Sequence, residues 1–114
     1  MSLHSSESGS IWEPYITSAK QGEIAKNWNE PQLLGLIPNK KNEGHIDMFV
    51  VYNEQDSDRP YHAIVKNEAA KHLEHWKAGS VDGPYDWVDG VHLGTREGPA
   101  VTRVMDDGTE KWLM

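Results

Sequence analysis

Apolar and polar residues alternate most clearly in the middle of the chain. Between His45 and Tyr52, the apolar residues Ile46, Met48, Val50 and Tyr52 occupy every second position, the period of a strand with one buried face. The polar stretch 53–59 leads through Pro60 into a second run at 61–66, and the two runs are predicted to pair as a hairpin. Asn67 is a good N-cap for a helix over 68–77, in which Ala69, Leu73 and Trp76 form a stripe able to lie on the hairpin's inner face. Gly79 suits the end of that helix. Nearer the N-terminus, Ser18 and Gln21 fit a capping box, and Ile24, Ala25 and Trp28 follow at helical spacing. Gly22 weakens this second helix by about 1 kcal/mol relative to Ala. Residues 11–16 read as a short edge strand because Pro14 lacks a backbone donor, whereas 32–37 is apolar but too short for periodicity to assign.

From residue 80 onward the texture changes to short segments punctuated by glycine, at 85–88, 91–93, 99–105 and 110–113, which read as strands. Asp106-Asp107-Gly108-Thr109 is a strong hairpin turn, since Gly tolerates the positive φ such turns require. The expected fold class is therefore α+β: a central antiparallel sheet, one or two helices on one face, and short C-terminal β-hairpins. At 114 residues this is one domain, spanning 11–114 with a hairpin-rich part at 80–114. Residues 1–10, dominated by Ser5-Ser6-Glu7-Ser8-Gly9-Ser10, read as a flexible leader.

The C-terminal third carries Trp87-Val88-Asp89-Gly90, then Arg96-Glu97-Gly98-Pro99-Ala100-Val101, then Asp107-Gly108-Thr109-Glu110-Lys111-Trp112. This run resembles a hairpin repeat of bacterial and phage proteins, similar to the MORN type. It departs from that pattern in having Glu97 where Asp is usual and Gly94-Thr95 ahead of Arg96, and one unit is visible. The resemblance implies a β-hairpin surface used for contacts and brings no catalytic residues with it.

The chain carries 18 Asp and Glu against 11 Lys and Arg, a net charge of −7. That balance argues against a cationic groove for nucleic acid. It fits electrostatic attraction to a basic protein surface, although solubility is the simpler explanation. With no Cys there is neither a disulfide framework nor a thiolate nucleophile. The longest apolar run, Met48-Phe49-Val50-Val51-Tyr52, is far too short to span a bilayer, and residues 1–10 lack the regions of a signal peptide; a cytoplasmic protein is expected.

Six His invite a search for metal ligands. Glu68, His72 and His75 would share one side of the expected helix at spacings of four and three, a set able to bind zinc with a position left for water. His45 and Asp47 would share a strand face that His62 would approach from the paired strand, though solvated histidines are the simpler reading of all these. The carboxylate pairs Asp56/Asp58 and Asp106/Asp107 are explained by turn propensity, and no nucleophile elbow, phosphate loop or dinucleotide fingerprint is present, so no cofactor is expected. Five Trp in so short a chain are unusual. Trp12, Trp28 and Trp76 are expected in the core. Trp87 and Trp112 can be read two ways: core packing is the simpler, while with Tyr85 and the carboxylates of Asp86, Asp89 and Glu110 they would make an aromatic and acidic surface of the kind that anchors a protein partner. The function these features favour is non-enzymatic protein binding by a small acidic accessory or inhibitor protein. The alternatives are a small metal-dependent hydrolase using Glu68, His72 and His75, and a structural part of a larger assembly.

Overall fold

The computed structural model describes residues 2–4, 12–38, 43–91 and 98–114. Ten strands run through them: β1 (Ser2–His4), β2 (Trp12–Ile16), β3 (Gln32–Leu33), β4 (Leu36–Ile37), β5 (His45–Tyr52), β6 (Tyr61–Asn67), β7 (His72–Ala78), β8 (Tyr85–Val91), β9 (Thr102–Asp106) and β10 (Thr109–Leu113). They form a five-stranded sheet in the order β4-β8-β7-β6-β5, a three-stranded sheet β1-β2-β3, and the separate hairpin β9-β10. The main sheet is an antiparallel meander from β5 to β8, to which β4 adds in parallel beside β8. The stretch read as a leader thus supplies β1 through Ser2–His4, and residues 5–10 lie outside the described ones.

The expected α+β class is corrected: among the described residues there is no helix, and none therefore that is long and apolar enough to cross a membrane. The reason differs in the two places. At 68–77 the capping chemistry is real, because Asn67 Oδ1 accepts from the Ala70 amide at 2.9 Å and the Lys71 amide returns to the Asn67 carbonyl at 2.9 Å. The turn stops there, since Lys71 takes a left-handed φ of 59° and the chain reverses into β7. Asn67 caps a hairpin loop between β6 and β7, and it pairs across the ladder with His72. Trp76 and Ala78 are buried at a spacing of two on a strand flanked by β6 and β8, so Ala69, Leu73 and Trp76 form no helical stripe. Around Ser18 to Trp28 the chain makes successive turns with Gly22 at φ 86°, and Ala19 bridges Trp28 to close the loop. Ile24 and Trp28 remain exposed, so the apolar spacing there met no surface to bury against.

The core fills one face of the five-stranded sheet. Ala63, Val65, Trp76, Ala78, Tyr85 and Leu36 come from the sheet itself, with Met48, Val50 and Tyr61 packed at its side. Ile16 at the end of β2 and Leu34 beyond β3 cover them, held by the Leu34 amide donating to the Pro14 carbonyl at 2.9 Å. The indole of Trp76 is wholly buried between small neighbours, Ala63 directly opposite it on β6 and Ala78 two residues along. Of the three Trp expected inside, only Trp76 is there; Trp12 and Trp28 are exposed.

Two bulges decide which side chains face this core. The β5–β6 pairing slips between Ile46 and Phe49, where Asp47 takes φ 53°. Met48, Val50 and Tyr52 keep the expected face, but Ile46 falls on the other one and His45 turns inward. A second slip between His75 and Trp76 sets Trp87 opposite Trp76 on the core face and Asp89 opposite His75 on the outer face.

Trp76→Ala removes the largest buried side chain from the middle strand. It is expected to lower unfolding free energy by about 3–5 kcal/mol, measurable by urea denaturation.

Candidate functional site

The outer face of the sheet carries His62 and Ile64 from β6, His75 from β7, Val51 from β5 and Val91 from β8. With Val101, Trp112, Leu113 and Met114 of the C-terminal segment and Asn53 at its rim, they line a cleft of about 300 Å³. Most of its wall is apolar, and among the described residues the two imidazoles are its only titratable side chains. Such a cleft, with a few convergent polar groups, is the usual form of a ligand site.

The histidines belong to a hydrogen-bonded chain. Asp56 sits in the β5–β6 loop, where its Oδ1 accepts from the Arg59 amide at 3.2 Å. Its Oδ2 is thereby aimed at the sheet, accepting from His62 Nε2 at 3.1 Å and Lys77 Nζ at 3.1 Å. His62 Nδ1 lies 2.9 Å from His75 Nε2. The ring centres are 5.0 Å apart with planes inclined by 27°, little less than the nitrogen separation plus the two ring radii. The imidazoles therefore meet nearly end to end, the geometry of a hydrogen bond; a metal ion inserted between those nitrogens would force them apart. The Lys77 ammonium beside Asp56 holds its carboxyl below the usual aspartate range. Burial pushes the His75 imidazole below its usual value, and neighbouring His62 adds to this.

A second polar cluster lies inside the core. Glu74, on β7, is fully buried, and its Oε1 accepts from His45 Nε2 at 2.8 Å and Trp76 Nε1 at 3.2 Å. Asn67 Nδ2 donates to Oε2 at 3.0 Å, and His72 Nε2 lies 3.5 Å from that oxygen. Glu43, His45 and Glu74 each offer a ligand atom, all within 4.8 Å of one another, a set of two carboxylates and an imidazole that a divalent ion can use. His45 and Glu74 already belong to a hydrogen-bonded network with Asn67 and Trp76 that satisfies the buried Glu74 carboxylate, so these two have a structural role without an ion.

The structure separates most residues singled out from sequence. Tyr85 is wholly buried, its hydroxyl donating to the Val81 carbonyl at 2.8 Å, and burial pushes it up to about 12. It is a core residue and takes no part in a contact surface. Trp87 remains exposed but stands edge-on to Trp76, centres 5.4 Å apart, on the core side of the sheet, whereas Trp112 lines the cleft on the opposite side. Asp86 is paired with Arg59, and Glu110 with Arg103 at 2.8 Å, so these carboxylates are engaged within the chain. Asp89 faces His75 across the ladder.

The metal set is dispersed as well. Glu68 lies in the turn with Lys66 and Lys71, His72 reaches toward Glu74, and His75 is on the outer face. A helix would have aligned them; on a strand, three residues apart means opposite sides. His45, Asp47 and His62 likewise do not meet, because the bulge sends His45 into the core while His62 faces the cleft. Sequence reasoning missed Glu74 and the Asp56–His62–His75 chain. A strand period through 72–78 would have placed Glu74 beside Trp76 inside and His75 outside, but the meeting of His75 with His62 and Asp56 depends on strand register.

No family model, curated protein or solved structure matched this chain in the three comparisons made.

Glu74→Ala strands buried donors on His45, Asn67 and Trp76 and is expected to cost about 3–5 kcal/mol in chemical denaturation. Since the His75 pKa is depressed on folding, the unfolded chain takes up protons first as pH drops below about 6.5. Stability is thus complete above that pH and falls below it. Thermal unfolding between pH 7.5 and 5.5 should show the loss, and His75→Gln should flatten it. The depressed Asp56 carboxyl adds a separate loss only at still lower pH, below 3.8.

Proposed function

We propose that this chain is a non-enzymatic protein-binding module whose working surface is the C-terminal hairpin and the cleft beneath it. The observation that carries the reading is that cleft: an apolar hollow of about 300 Å³ on a sheet face, edged by Trp112, Leu113 and Met114, all exposed. Every residue of β10 is exposed, and a lone two-stranded ribbon gains little stability of its own, so a partner that packs on it would complete its burial. Trp is the side chain most often found at the energetic centre of an interface. The resemblance of the C-terminal run to a contact-making hairpin repeat points the same way. The net charge of −7 adds long-range attraction toward a basic partner, while the ion pairs of Asp86 and Glu110 leave the local contact to apolar groups. The anchor role falls to Trp112; Trp87, on the other side of the sheet, and Tyr85, in the core, serve the fold.

The test uses a partner captured with the wild-type chain and then purified. Trp112→Ala is expected to weaken its binding by about tenfold or more in calorimetry, with circular dichroism unchanged. Trp87→Ala should leave the affinity within about twofold. Unchanged affinity in the Trp112 variant would remove the hairpin and cleft from the interface.

A further inference from the structure

The hydrogen-bonded chain in the cleft has a direction, and the direction specifies a ligand. Asp56 Oδ2 accepts from the Lys77 ammonium, and an ionised carboxylate has no proton to give. His62 Nε2 must therefore be the donor of its 3.1 Å bond to Asp56. In a neutral imidazole the other nitrogen is then an acceptor, so His62 Nδ1 receives the 2.9 Å bond and His75 Nε2 carries the proton. By the same rule the remaining nitrogen of His75, Nδ1, has a lone pair. Among the described residues it makes no hydrogen bond, nor is it sealed off as a buried unsatisfied atom. Every tautomer in the series follows from one ionised carboxylate placed by a loop.

We propose that the cleft holds an aromatic ring bearing a hydrogen-bond donor, a phenol of the kind a tyrosine side chain presents, with His75 Nδ1 accepting from its hydroxyl. This rests on the reading of the cleft as the place where a partner's anchor enters. The volume of about 300 Å³ admits a single ring, and Ile64, Val51, Val91 and the Trp112 indole supply an apolar and aromatic wall for it. A carboxylate head is disfavoured, because neutral His75 offers it a lone pair, the anions Asp89 and Asp56 lie on the β8 side and in the loop, and the cation beside them, Lys77, is engaged by Asp56 at 3.1 Å. A purely apolar ring fits the wall but leaves His75 Nδ1 without a donor once water is displaced. Tyrosine is also a low-entropy anchor, with two side-chain torsions to fix.

The proposal carries its own pH dependence. Among the described residues, the charged and titratable groups facing His75 are His62 from β6, Lys77 from β7, Asp89 from β8 and Asp56 from the loop; the cleft side chains from β5 and the hairpin are uncharged. Burial, His62 and Lys77 oppose protonation of His75, and the two aspartates favour it, with depression of its pKa as the net result. Once protonated, His75 donates from both nitrogens and can no longer accept from a phenol.

Nitrogen-15 NMR of the whole chain at pH 7.5 reads the tautomers directly: His62 and His75 should both carry the proton on Nε2. A proton on Nδ1 of either ring would overturn the proposal, whatever the cleft binds. Titration with p-cresol, 4-methylanisole and toluene then tests the ligand class. Binding to the cleft residues should be about three- to tenfold tighter for p-cresol than for the other two, and that preference should vanish at pH 5 and in His75→Leu. Equal affinity for all three at pH 7.5 sinks the donor requirement while leaving an apolar anchor site in place. Absence of binding by any of them at millimolar concentration removes the cleft itself.

Discussion

A carboxylate with no access to water sits in the middle strand of the main sheet, and the rest of the fold is arranged to tolerate it. Burying a charge is costly unless donors surround it. Glu74 has them from three directions: His45 on β5, Asn67 at the end of β6, and the indole of Trp76 on its own strand. Only one alignment of β5, β6 and β7 brings these donors together. The network thus acts chiefly on register, since apolar side chains alone would tolerate a two-residue slip that this carboxylate does not. The Trp76 indole is tied to the network and to the apolar core at once, with His45 edge-on to it at 5.9 Å.

The sheet's two faces do different work because the two bulges divide them. Inside lie Trp76, Tyr85 and the Glu74 network; outside lie the histidine pair, Asp89 and the apolar cleft. Cross-strand neighbours on one face are coupled tightly, whereas communication through the sheet must pass along the backbone. The loop that supplies Asp56 is anchored by the Asn53 amide donating to the Pro60 carbonyl at 2.7 Å, so the start of the proton-ordering chain is a rigid turn at the end of a hairpin.

Much of the strand content was legible in the alternation of residues, and the helices were not there to be read. The pairing of His45–Tyr52 with the run after Pro60 and the reversal at Asp107-Gly108 followed from local rules; in the latter, both central residues have positive φ, at 52° and 74°. The segment after Asn67 misled because a side chain that caps a helix also caps a single turn, and Leu73 and Trp76 are three apart on either reading. Burial settles it: Glu74 is enclosed and Ala69 is exposed, the reverse of what a helical stripe demands. The candidate site was the least visible part. Asp56, His62 and His75 come from a loop and two strands, and their meeting depends on register and on a rotamer set by the Arg59 amide. No spacing along one segment encodes that.

The backbone irregularity at Asp47 gives the length of β5 a meaning that its composition lacks. With one residue fewer between Ile46 and Phe49, the N-terminal end of the strand would rotate by half a turn, presenting an isoleucine to the carboxylate and an imidazole to solvent. Deletions in this stretch are therefore far less tolerable than substitutions, and a relative of this chain that keeps a glutamate at the centre of its third meander strand must also keep the count of residues that brings its counterpart histidine home.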